Sequence, residues 1–384
     1  MQLDNSILIY PFNAEAMPLI RSKKFAASYK RVILCALKGS GFNGKDASEV
    51  DGGETVGIQV REDLIECLDE CSTVLFIESQ YIQSDDEDFK QIANQAALRG
   101  KTVINNRGGY QGTSRAYRVD NVQDAYGLFG NVTIDISKDI KYEFNYGDLL
   151  QSEGLVDITT PIITVVGTGK NTNKLALQIS IIEELEQQGY KVSWIGSNKM
   201  CELLGERSFP SFMFEDGITD TEKVLLFNRF VKSVEMSDHA DVILIGVPGG
   251  IMPCSKNIPG DFGILSYKVF QAVSPDYLIL SIFYDDYQDE FFTEIKSHIK
   301  YKFSSELNMI HICNRRIDWD EVRVLNQNVI PYYVIGSQAV NNFIRDKQGK
   351  VPVELVNIMR KNETAAIVED IIARLADDEP NLVF

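Results

Sequence analysis

The chain has little of what several functional classes require. Lys and Arg number 38 against 55 Asp and Glu, a formal net charge of −17 over 384 residues. A general nucleic-acid binder needs a basic face to neutralise phosphates, so that class is excluded, and so is binding to anionic membrane surfaces. No apolar run reaches the length of a membrane span, and the N-terminal Met1-Gln2-Leu3-Asp4-Asn5 lacks the basic n-region of a signal peptide. The six cysteines are scattered, too sparse for a disulfide scaffold. These absences together imply a cytoplasmic protein. Histidine is scarce: His239, His298 and His311 are all there are. His298 is expected at an exposed helix position and His311 in a strand core. No nucleophile elbow anchors a Ser-His-Asp hydrolase. Internal repeats and low-complexity segments are also missing.

What is present is alternation. Hydrophobic content of 44% and charged content of 24% suit a globular chain of two or three domains. In the first half, strands are predicted at 7–10, 31–36, 73–78 and 101–105, and helices at 64–71 and 86–99. Asp85, Asp86, Glu87 and Asp88 lead into the second helix and suit the positive end of its dipole. The second half repeats the pattern. Strands are predicted at 162–166, 191–195, 241–246, 277–283, 308–313 and 329–334, and helices at 174–188, 220–236, 288–302, 337–346 and 363–375. Such alternation implies α/β architecture with two parallel-sheet domains, residues 1–150 Rossmann-like and 160–384 P-loop-like, joined by a turn-prone linker at 151–161. No Gly-x-Gly-x-x-Gly follows the first strand. The tail Asp377-Asp378-Glu379-Pro380 reads as a frayed end.

One stretch bears on function. The β-branched run Ile162-Ile163-Thr164-Val165-Val166 opens into Gly167-Thr168-Gly169-Lys170-Asn171-Thr172-Asn173-Lys174, and a helix follows. Strand, glycine-bearing loop and helix N-terminus are the apparatus for holding phosphate, because consecutive N–H groups and the helix dipole face the anion. The pattern Gly-x-x-x-x-Gly-Lys-Ser/Thr wants glycine where Asn173 stands and a hydroxyl where Leu175 stands. Asn tolerates left-handed backbone, so the turn survives at about 1 kcal/mol cost. Without the hydroxyl a metal loses one contact. Lys170 and Lys174 remain as point charges for phosphate. The reading is an anion site with weak or no hydrolysis, for ATP, ADP or another phosphate-bearing ligand, and no metal residues are assigned.

Other residues stand beside it as candidates. Arg107, Gly108, Gly109, Gly112, Arg115 and Arg118 read first as a surface loop and second as an anion site. The 39–53 loop, with Lys45, Asp46 and Asp51, is long enough to be functional. Cys67 and Cys71 share a helical face and read as buried thiols, and Cys254 is a candidate pocket residue with a small prospect as nucleophile. Phe209, Phe212 and Phe214 form either an acyl- or peptide-binding surface or simple packing. Asp285, Asp286, Asp289 and Glu290 read as helix-start acids.

Two family resemblances follow from these motifs. Gly167-Thr168 precedes Lys174 at the spacing of the Gly-Thr-Asp-Thr-x-x-Gly-Lys-Thr loop of dethiobiotin synthetase and the MinD-like P-loop proteins. Gly246-Val247-Pro248-Gly249-Gly250-Ile251-Met252-Pro253 resembles their Glu-Gly-Ala-Gly-Gly…Pro segment. This implies that Gly249 and Gly250 join the site, that Gly246 stands where the relatives carry a metal-shell Glu, and that the chain forms a homodimer. Nearly the whole chain also resembles a clostridial peptide maturation system family, through Leu8-Ile9-Tyr10-Pro11-Phe12, Gly44-Lys45-Asp46-Ala47-Ser48, Asp51-Gly52-Gly53, Phe209-Pro210-Ser211-Phe212-Met213-Phe214 and the 246–253 segment. It implies an accessory role in ribosomal peptide natural-product maturation beside a precursor peptide, a radical SAM enzyme and an acyl-carrier-related protein. A non-catalytic adaptor and an ATP-dependent ligase-like enzyme are the alternatives.

Overall fold

The computed structural model describes residues 5–77, 86–106, 117–119, 133–135, 154–256, 258, 260, 262–324 and 330–376. The chain divides into two compact units, Met1–Tyr142 with Glu202–Gly205, and Glu143–Cys201 with Glu206–Phe384.

The first unit is built on strands β1 (Ser6–Tyr10), β2 (Arg31–Cys35), β3 (Val60–Arg61), β4 (Thr73–Ile77), β5 (Thr102–Asn106), β6 (Tyr117–Val119) and β7 (Thr133–Asp135). The order β3-β2-β1-β4-β5 is parallel, and β6 and β7 extend it antiparallel. Ile7, Leu8 and Ile9 of the central strand are fully buried, as a strand covered on both faces requires. Short helices at Met17–Arg21 and Lys23–Ser28, unmarked by any periodic run, precede β2. Ser22 ends one and caps the other by accepting from Phe25 N.

The second unit carries β8 (Ile162–Gly167), β9 (Val192–Gly196), β10 (Arg207–Ser208), β11 (Val242–Gly246), β12 (Tyr277–Ile282), β13 (Met309–Ile312), β14 (Arg315–Ile317), β15 (Tyr332–Val334) and β16 (Glu354–Val356). The order β10-β9-β11-β8-β12-β13-β16 is parallel throughout, with β8 in the middle and every residue of it buried. This is an α/β fold of two predominantly parallel sheets, Rossmann-like in the first unit and P-loop NTPase-like in the second.

The elements differ from expectation in two places. The strand expected at 329–334 is only Tyr332–Val334, and it pairs antiparallel with β14 outside the main sheet. Pro331 has no N–H for a ladder, and β16 takes the edge instead. Two short helices, Ile264–Ala272 and Trp319–Val324, were not foreseen. Of the expected linker, 151–153 lie outside the described residues, and part of the rest is hydrogen-bonded to helix Asp220–Asp238. Asn228 accepts from Val156 N at 2.8 Å and donates to Val156 O at 3.0 Å. Glu235 accepts from the amides of Thr159 and Thr160, both at 2.7 Å. Burial alone would raise the Glu235 carboxyl, but the Lys232 ammonium and those amides hold it down at about 2.

Candidate phosphate site

The turn after β8 is built from its own backbone. Asn171 and Asn173 both occupy the left-handed region, at φ 65° and 64°, so asparagine does take the place that glycine holds in the P-loop pattern. Helix Lys174–Gln187 starts directly after the second of them, and its dipole points into the turn. Thr168 N is spent on Ser281 O at 3.0 Å. Among the described residues, the main-chain N–H groups of Gly169, Lys170, Asn171, Thr172 and Asn173 meet no acceptor. Five successive unspent donors at a helix N-terminus are the kind of arrangement that suits an anion.

The two glycine segments converge. A Cβ on Gly250 would lie 2.8 Å from Thr168 O, and Ile251 N donates to Gly167 O at 2.8 Å. A Cβ on Gly167 would meet Thr172 Oγ1 at 2.5 Å and Lys174 Nζ at 2.9 Å. Lys174 is buried, and its ammonium donates to Gly169 O at 2.7 Å and Gly249 O at 2.8 Å. Lys170 is exposed. The strip beyond Gly249 is held in the same manner: Ser266 Oγ donates to Gly250 O at 3.4 Å and Lys302 Nζ to Ile251 O at 2.9 Å. Three successive carbonyls thus receive donors from three different helices.

The metal side of a P-loop is replaced by a neutral network. Leu175 is buried. A Cβ on Gly246 would lie 2.1 Å from Gln178 Oε1, so the strand end can carry no side chain while Gln178 stays in place. That amide is fully buried and spends all its capacity. Oε1 accepts from Trp194 Nε1 at 3.0 Å and Ser197 N at 3.1 Å; Nε2 donates to Lys174 O at 3.0 Å and Ser197 Oγ at 2.7 Å. Thr172 Oγ1 turns inward and donates to Gly169 O at 3.3 Å. Among the described residues no three His, Cys, Asp or Glu side chains gather as a metal site.

Two supports escaped sequence reasoning. Arg315, buried at the start of β14, donates to Asn171 O at 3.0 Å and lies over the Tyr332 ring at 4.5 Å. Ser281 Oγ donates to Thr172 O, so its contact with His311 Nδ1 at 2.8 Å makes the imidazole nitrogen the donor. Burial pushes the His311 imidazole down to about 3, which keeps it neutral. The adjacent Asn314-Arg315-Arg316 run was the only sign of the first. Nothing local marks the second, since β12 and β13 meet only in the fold.

No protein-family model matches the chain, and no curated protein is similar to it in sequence. Solved structures do match. The whole chain shares its fold with a DUF1611 family protein from Anabaena variabilis. That likeness has a TM-score of 0.58 at 11% identity and covers 97% of this chain and 100% of the other. Two lesser likenesses fall on part of the chain. Cobyrinic acid a,c-diamide synthase from Mycobacterium smegmatis, with bound ATP analog and magnesium, has TM-score 0.34, 13% identity, 59% of this chain and 100% of that one. A plasmid partition protein from Borrelia burgdorferi bound to AMPPNP has TM-score 0.33, 11% identity, 58% and 100%. These two are too distant to bear on the site.

The remaining candidates resolve as packing. Cys254 packs against the cluster of Phe283, Cys313 and Ile330, and burial pushes its thiol up to about 11, the wrong direction for a nucleophile. Phe209 stacks on Phe227 at 5.2 Å and Phe212 meets Phe230 at 6.2 Å, so that cluster is core. His298 is half-buried rather than exposed, with Nε2 unpartnered among the described residues. His239 caps helix Asp220–Asp238 in the left-handed region. Asp285 and Asp286 precede their helix and pair with Arg316, at 2.8 and 3.0 Å. In the 39–53 loop, Asp46 accepts from the amides of Ser48, Val56 and Gly57 at 3.0, 3.0 and 2.7 Å. Asp51 forms a bidentate pair with Arg21 at 2.6 and 2.8 Å. Both carboxylates hold the loop itself. The arginines at 107 and 115, Asp85 and the 377–380 tail lie outside the described residues; Arg118 falls in β6. Among the described residues no helix is long and apolar enough to cross a membrane.

Proposed function

We propose that the 167–174 turn binds the phosphate of a nucleotide, or of another phosphorylated ligand such as a coenzyme-derived group, with weak or no hydrolysis. The observation that carries this is the run of five unspent main-chain donors, Gly169, Lys170, Asn171, Thr172 and Asn173, at the head of a 14-residue helix. Gln178 argues for binding over turnover. Phosphoryl transfer leans on metal-assisted charge neutralisation, and an amide with four hydrogen bonds fills the space that a carboxylate at position 246 needs. The ligase-like alternative is disfavoured on the same ground. The biological setting rests on the motif resemblance: an accessory protein of ribosomal peptide natural-product maturation, with a precursor peptide, a radical SAM enzyme or an acyl-carrier-related protein as partner.

The test is calorimetric titration with ATP, ADP and coenzyme A, with and without Mg²⁺. Heat for at least one of them, indifferent to Mg²⁺ and lost in Lys174→Ala, is expected, with no ATP turnover. Absence of heat for all three overturns the proposal. One observation favours the competing adaptor reading, namely that the Lys174 ammonium already serves Gly169 O and Gly249 O as a strut. Partner proteins that co-purify equally with wild type and Lys174→Ala, in a protein that binds none of the three ligands, would establish that reading.

A further inference from the structure

The loop between β2 and β3 carries a pattern of its own. Gly39-Ser40-Gly41-Phe42-Asn43-Gly44-Lys45 spaces its glycines as Gly-x-Gly-x-x-Gly. All three are left-handed, at φ 81°, 79° and 75°, and a Cβ on any of them would meet nothing within 4 Å. Backbone shape rather than packing calls for glycine here, and open space lies outside the loop. The loop leaves the carboxyl end of a parallel strand, the edge at which α/β sheets take ligands. No long helix follows. The four-residue turn Ala47–Val50 is headed by the Asp46 carboxylate, so donors for a ligand must come from the loop itself.

An anion is already seated there. Glu62, directly after β3, accepts from Gly39 N at 3.2 Å and from Ser40 Oγ at 2.9 Å. Asn43 N meets no acceptor among the described residues. The surroundings are basic in an acidic protein. From Ala16 to Lys45 the chain has seven Lys or Arg and no Asp or Glu, against −17 overall. Arg21 and Arg31 are engaged by Asp51 and Glu70. Lys38 and Lys45 flank the glycines and are exposed, and Lys45 Nζ lies over the Phe42 ring at 5.9 Å.

We propose that the Gly39–Lys45 loop is a second anion site, taking a phosphate group, with Glu62 as its built-in competitor. The carboxylate engages two donors. The remaining Asn43 amide and the two flanking ammonium groups suit a phosphate, which brings higher charge and one more terminal oxygen. The site lies in the first unit and acts independently of the 167–174 turn in the second. Phosphate enters only while Glu62 is swung out, so its apparent affinity is lowered by the fraction of time the loop is open. Glu62 is half-buried, and it can leave without disturbing the core.

The test is an NMR titration of the full chain with inorganic phosphate. Lys38-Gly39 is the one Lys-Gly pair in the sequence and Thr168-Gly169 the one Thr-Gly pair. Carbonyl-labelled lysine or threonine with amide-labelled glycine therefore reads the two sites separately. The Gly39 signal should shift saturably with phosphate, whatever Gly169 does, and should not respond to sodium chloride at matched ionic strength. Half-saturation should come at about tenfold lower phosphate in Glu62→Gln, the gain expected where the carboxylate fills the loop about nine-tenths of the time. It should need more phosphate in Lys45→Ala, and acetate should bind more weakly than phosphate. A Gly39 signal unmoved by phosphate in both wild type and Glu62→Gln would overturn the proposal. So would a half-saturation unchanged by Glu62→Gln, which would make Glu62 a strut of the loop, or acetate binding as well as phosphate.

Discussion

Gly246→Ala is the sharpest probe of the second unit, because one methyl group collides with one buried amide. The new Cβ would lie 2.1 Å from Oε1, 2.4 Å from Cδ and 2.5 Å from Nε2 of Gln178. The amide cannot slide away, since Trp194, Ser197 and the Lys174 carbonyl hold it with four hydrogen bonds. Each neutral bond contributes about 1 kcal/mol net, and a buried donor left without a partner costs about 1–3 kcal/mol. Trp194 Nε1 and Ser197 N would be the stranded donors, giving a loss of about 3–4 kcal/mol. For a unit of this size that is roughly a 10 °C fall in Tm. The assay is urea and thermal unfolding of Gly246→Ala, Gln178→Ala and the double variant. Gln178→Ala empties the contested space, so the double variant should be no less stable than Gln178→Ala alone, a coupling of about 3 kcal/mol. A Gly246→Ala protein within about 0.5 kcal/mol of wild type, or penalties that simply add, would refute the reasoning.

Further outcomes follow from other contacts. Asn173→Ala places a Cβ residue without a polar side chain at φ 64°, and should lower stability by about 1 kcal/mol, whereas Asn173→Gly should stay within about 0.5 kcal/mol; urea midpoints decide. Glu235 has its carboxyl depressed from 4.5 to about 2, so the stability it contributes is full above the unfolded value and is lost as pH falls from there toward 2. The loss amounts to about 3 kcal/mol, and Glu235→Gln should flatten that limb of an acid titration followed by circular dichroism. Asp51→Asn breaks the bidentate pair with Arg21 and should cost about 1–3 kcal/mol, loosening the 39–53 loop to proteolysis without altering the second unit.

Long elements with clear periodicity were legible. β8, β11 and β12 announce themselves as largely apolar, β-branched-rich runs, and helix Asp220–Asp238 begins with the Thr219/Glu222 capping box that its sequence spells out. Elements of two to six residues were not, because β3, β10 and the helix Met17–Arg21 exist through tertiary contacts that no local pattern encodes. At the site, the loop, its two asparagines and the companion glycines were readable from spacing. Gln178 was not: it sits one helical turn beyond Lys174 among ordinary helix formers, and only its meeting with Gly246 shows why a glycine ends β11. Arg315 and His311 reach the turn across 144 residues in one case and through Ser281 in the other, distances that periodicity cannot see.

The Lys174 ammonium already has two carbonyl hosts, and this fixes how an incoming anion is felt. A phosphate that recruits it must outcompete Gly169 O and Gly249 O, so observed affinity is the difference between two occupied states rather than the gain of filling a bare one. With Gly249 O released, Ser266, Lys302 and the Ile251 N–H bond to Gly167 O would still hold the next two peptides.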